Sequence, residues 1–80
     1  MDGGGGVSFA LRLALWMSRR NGRSLARRLS AERKLPPVGQ EEKEFRKQMQ
    51  PLVRGFRPDL QEELLSEAVA AAVEWSRKQR

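Results

Sequence analysis

The sequence predicts an all-α fold: a C-terminal αα-hairpin over about 40–80, preceded by a basic amphipathic helix that is either a leader or a third helix. Three observations predict it. Apolar residues recur at helical spacing in each third of the chain. Acidic residues gather where the second and third of these helices start, and basic residues where the third ends, as the helix dipole favours. Proline and glycine fall between the periodic stretches, at Pro36-Pro37, Gly55 and Pro58. With 80 residues, one small domain is the most the chain can form.

The N-terminal part, 1–30, starts with Gly3 to Gly6, a flexible leader without core-forming capacity. From Val7 the stripe Val7, Leu11, Ala14, Ser18, Leu25 and Leu29 keeps to one helical face. Arg12, Arg19, Arg23 and Arg27 lie nearly opposite, with Trp16 near them. Asn21-Gly22 weakens the middle, so the stretch reads equally as one helix or two.

Residues 31–39 form a Pro-rich linker. Pro36-Pro37 stops any helix and holds Leu35 extended. In the hairpin, the first helix runs over Gln40 to Gln50, with Glu41, Glu42 and Glu44 at its start. Phe45, Met49, Leu52, Val53 and Phe56 continue as a stripe through Pro51, which kinks the helix or begins a new turn. Gly55 suits a C-cap. Asp59 reads as the N-cap of the last helix, with Glu62 at capping-box spacing. Leu64, Ala68, Ala71 and Trp75 form one row of that helix, and Leu65, Val69, Ala72 and Val73 the next. The run Ala68-Val69-Ala70-Ala71-Ala72 lets another helix approach closely. Two helices of this size bury too little apolar surface to offset their ordering. The hairpin should therefore keep an apolar strip for something else to cover, which a first helix completing a three-helix bundle would also do.

The charge is unevenly distributed. The net +6 belongs to residues 1–34, where Arg12, Arg19, Arg20, Arg23, Arg27, Arg28, Arg33 and Lys34 face only Asp2 and Glu32. Residues 35–80 are balanced. An Arg-rich, Ser-containing, acid-poor amphipathic N-terminus has the composition of a mitochondrial transit peptide. The inside-negative potential draws its cationic face, and a receptor groove takes its apolar face. Arg27-Arg28-Leu29-Ser30-Ala31 is similar to matrix-processing sites. The targeting residues on this reading are Arg12, Arg19, Arg23, Arg27 and Arg28. A structural helix with a solvated Arg face, a nucleic-acid or nuclear-import segment, and a helix bound to a membrane surface are the competing readings. An eleven-residue apolar run, Val7 to Met17, is too short to span a bilayer, which needs about 20 residues.

Catalytic chemistry finds little to work with. The chain has no Cys, His or Tyr, which removes the commonest general base, thiolate and imidazole metal ligands, and every Ser-His or Cys-His arrangement. The carboxylate clusters lie in first helical turns, where the dipole accounts for them. No catalytic, cofactor-binding or metal site is expected.

Two short elements carry a family resemblance. Ala10-Leu11-Arg12 is similar to the Leu-Tyr-Arg opening of small LYR-type mitochondrial assembly factors, and Glu44-Phe45-Arg46-Lys47 resembles their later Phe-Arg pair. The tyrosine is absent, and Pro36-Pro37 lies between the two elements. The resemblance implies a short helical protein acting on respiratory-chain subunits or iron-sulfur delivery. It also implies that Arg12 and Phe45 contact a partner and that 7–29 is a retained first helix.

The expected function is therefore that of a non-enzymatic assembly factor or accessory subunit in the mitochondrial matrix or on the matrix side of the inner membrane. It would dock on a larger protein of a respiratory-chain-type complex through Phe45, Met49, Phe56, Leu64, Leu65, Val69 and Trp75, since large apolar and aromatic anchors dominate such contacts. Contact with the inner-membrane surface and a homodimer are compatible with it. The alternative is a nuclear or cytosolic adaptor whose Arg-rich arm binds nucleic acid, for which few aromatics are available to stack on bases.

Overall fold

The computed structural model describes residues 4–79, with side chains from Phe9 onward. All regular structure among these residues is helical: α1 over Gly4–Ala31, α2 over Glu41–Val53 and α3 over Pro58–Lys78. Helix α3 is the shared element, with both α1 and α2 packed along it. Arg19 of α1 pairs with Glu67 of α3, Gly22 meets Ala68, and Ala14 lines one groove with Leu60. Positions thus advance together along both helices, and α1 runs parallel to α3. Glu41 at the start of α2 faces Arg77 at the end of α3, so α2 runs antiparallel. The order is up-down-up, and α1 covers the strip that the hairpin leaves open.

The core draws on all three helices. Leu25, Ala26 and Leu29 from α1, Phe45, Met49 and Val53 from α2, and Leu64, Leu65, Ala68, Val69 and Ala72 from α3 form one buried cluster, with Ala14, Leu15, Leu35, Leu60, Val73 and Trp75 packed against it. Helix α1 is unbroken at Asn21-Gly22, where two halves were an equal expectation. Gly22 is buried because α3 passes it too closely for any side chain. A Cβ there would lie 2.0 Å from the Ala68 carbonyl oxygen. Ser18 and Ala26, one helical step of four to either side, are buried too, as are Ala68, Ala72 and Ser76 on α3. Small residues at this spacing let two helix backbones approach along matching rows. The expected leader Gly3 to Gly6 is helical from Gly4 onward, with Gly3 outside the described residues, as is the side chain of Val7.

The helix ends differ from the expected caps. Helix α1 stops where Arg33 takes a left-handed backbone with φ 58°. The Lys34 N–H donates to Leu29 O at 2.7 Å and the Arg33 N–H to Ser30 O at 3.0 Å, a Schellman closure with arginine where glycine is usual. Gly39, with φ 94°, allows the turn closed by the Gln40 N–H on Pro37 O at 3.0 Å. Pro51 lies within the last turn of α2 without ending it. Gly55 has no left-handed conformation, and Arg54 stands at the C-cap instead. The N-cap of α3 is Arg57 rather than Asp59. Pro58 supplies the preset φ of the first helical position, so the cap lies two residues earlier and Asp59 pairs with Arg57 at 3.3 Å.

Candidate interaction surface

The structure uses most of the expected partner-binding residues internally. Phe45, Met49, Leu64, Leu65 and Val69 are buried in the core. Trp75 is half-buried against it, and Phe56 alone of the set is exposed. Phe45 has no exposed surface, while Arg12 is open to solvent. Of the targeting residues, Arg12, Arg19, Arg27 and Arg28 are exposed and Arg23 is half-buried.

A different surface takes the place of the expected one. Phe9, Leu13, Trp16 and Met17 are exposed large apolar side chains on α1, with Phe9 at 68% and Trp16 at 52%. At 100° per residue Phe9, Leu13 and Trp16 share the face directly opposite the buried one, and Met17 lies on its flank. The same outward face continues toward the C-terminus as Arg20, Arg23 and Arg27. Its first half is therefore apolar and its second half cationic. The Arg20 guanidinium lies over the Trp16 ring, 5.5 Å from the centroid, where the two halves meet. No Asp or Glu occurs anywhere in α1.

Around the Met17 flank the apolar surface turns into a groove. Ala10, Leu11 and Ala14 of α1 form one wall, and Gly55, Phe56, Arg57, Asp59 and Leu60 of the α2–α3 corner form the other. Its volume is about 740 Å³. Leu52 is exposed one turn before Phe56. Parallel packing explains why this surface exists. Counting back from Gly22 and Ala68 at equal rise puts Pro58 level with Arg12, so the α2–α3 corner stands opposite Ala10, Leu11 and Ala14 and leaves the groove between them.

Toward the opposite end of the bundle α2 and α3 border a groove of about 720 Å³ lined by Glu42, Arg46, Val73, Glu74, Arg77 and Lys78. Glu41 is only 1% exposed. Its Oε1 accepts from the Gly39 N–H at 2.9 Å, and its Oε2 lies 3.8 Å from Arg77 Nε. This carboxylate ties the linker to the first turn of α2 and the last turn of α3. On the α2–α3 surface, Arg46 donates to Glu62, and that hydrogen bond, with the charge of Glu62, raises the Arg46 pKa above its ordinary value. Among the described residues no group of His, Cys, Asp and Glu could hold a metal ion, and no helix is long and apolar enough to cross a membrane.

The chain matches no protein-family model, no curated protein and no solved structure.

The outward face expected to be arginine-lined is apolar in its first half. Phe9 and Leu13 were the available signal. They are spaced by four from each other, and Leu13 from Met17, off the buried stripe.

Proposed function

We propose that this protein is a non-enzymatic helical accessory or assembly factor of a mitochondrial complex of the respiratory-chain type, imported by α1 and working with α1 retained. The observation that carries the reading is the double use of α1. Its acid-free Arg-rich character suits import, while Leu25, Ala26 and Leu29 belong to the core. Cutting between Leu29 and Ala31 would remove those three residues and expose the hairpin strip they cover. The mature protein on this reading keeps its first helix. Its protein partner docks at the corner where Leu52 and Phe56 border the groove against Ala10, Leu11 and Ala14.

The test uses the full chain in cells. A fluorescent fusion should enter mitochondria, and an R12E/R19E/R23E form should not. N-terminal sequencing of the imported protein should read a start ahead of α1. Native electrophoresis of detergent-solubilised organelles should show the chain moving with a larger complex, and L52S/F56S should release it. A fusion that stays in the cytosol or nucleus contradicts the compartment. A start near Ser30 contradicts the retained helix.

A further inference from the structure

We infer that the outward face of α1 docks on an anionic bilayer surface, with the helix lying in the membrane plane. This reading concerns the folded bundle and does not depend on the compartment proposed above.

Four observations select a lipid surface as the occupant. First, the face is the outer side of a 28-residue helix whose opposite side is packed on α3. A protein that receives a helix needs a groove shaped to it, whereas a bilayer takes a convex helix directly. Second, Phe9, Leu13 and Trp16 form a shallow apolar wedge in the first half of the face, enough to enter the headgroup boundary. Among the described residues no helix is long and apolar enough to span, and three exposed apolar side chains on one face suit a helix lying in the interface. Third, Trp16 is half-exposed with Arg20 over its ring. An indole with an apolar body and a polar edge suits the interface, and arginine can keep its charge at the headgroups while its stem follows apolar surface. Fourth, the rest of the face is cationic and α1 contains no acid. Anionic lipid is complementary to that charge, and each arginine near such a surface adds to the attraction.

The other side of α1 is held by α3, so docking needs no unfolding. The wedge can enter the interface while Gly22 stays against Ala68. Roles are then divided. The α1 face meets lipid, and the corner at Leu52 and Phe56 remains available beside it.

The experiment is sedimentation of the full-length protein with vesicles of equal parts phosphatidylcholine and phosphatidylglycerol, and with vesicles of phosphatidylcholine alone. Binding should occur on the anionic vesicles and fall as salt is raised. Trp16 emission, read in W75F so that the second tryptophan does not contribute, should shift to the blue and become shielded from an aqueous quencher. R12Q/R20Q/R27Q should weaken binding by on the order of a hundredfold. L13S/W16S should also weaken it, and both variants should melt like the parent because these side chains are exposed. If a variant fails to fold, the salt titration of the unaltered chain decides the matter. Equal binding to neutral vesicles, binding indifferent to salt, or unchanged Trp16 exposure overturns the inference. So does a protein that binds duplex RNA or heparin and leaves anionic vesicles in the supernatant, which would assign the arginines to nucleic acid.

Discussion

Gly22 and Ala68 set the spacing of the bundle: the backbone of α1 comes so close to the Ala68 carbonyl that a methyl group at position 22 would lie 2.0 Å from its oxygen. The obstacle is backbone, so no side-chain rotation can relieve it. In an isolated helix Gly→Ala is stabilising by about 1 kcal/mol, and here the sign reverses. G22A should cost about 2–3 kcal/mol through forced separation of the helices. For a domain of this size the melting temperature would fall by roughly 10–20 °C. Thermal unfolding followed by circular dichroism checks it, and an unchanged or raised Tm would contradict the close crossing.

Arg33 offers a test of opposite sign. Its left-handed backbone, φ 58°, costs a non-glycine residue roughly 1 kcal/mol. Glycine removes that strain and gives back part of the gain as entropy of the unfolded chain. R33G should therefore raise stability by up to about 0.5 kcal/mol, read as a higher urea midpoint at constant slope.

Glu41 is the buried polar joint at the far end. E41A removes the acceptor of the Gly39 N–H and the partner of Arg77, at a cost of about 2 kcal/mol. E41Q keeps an oxygen for Gly39 and should lose less. Denaturant melts of the two variants should therefore rank parent, E41Q, E41A. Equal losses would mean that charge, not the Gly39 bond, accounts for the burial.

The outward residues of α1 should behave as surface. L13S and W16S should each leave stability within about 0.5 kcal/mol of the parent while reducing any tendency to associate. A large loss of Tm in either would place these side chains in a core that the structure does not give them.

The helices were legible in the sequence because periodicity, dipole-matched charge and Pro/Gly punctuation agree. The last helix was expected from Asp59 and in fact starts at Pro58. The Ala68 to Ala72 run correctly signalled a close neighbour, but not which helix it would be. That information lay in Ala14, Ser18, Gly22 and Ala26, small residues at steps of four. Local propensity gave Gly22 the opposite meaning, a weak point, because tertiary contact outweighs propensity at such a position. The interaction surface was less legible for a related reason. Phe45, Met49 and Leu64 look like anchors in any sequence, and only the packing of the three helices together reveals that they are already covered. Which of two apolar stripes on a helix faces inward depends on the neighbour, which no single-helix pattern contains.

The central claim is that α1 is an integral helix of the bundle with its outer face free. Native-state hydrogen exchange of the intact protein tests it most directly. The account predicts that amides from Ser18 to Leu29 are protected to the same free energy as those of the α3 core around Ala68 and Ala72, opening only with global unfolding. Exchange of those α1 amides at unstructured rates, while α2 and α3 stay protected, would contradict it.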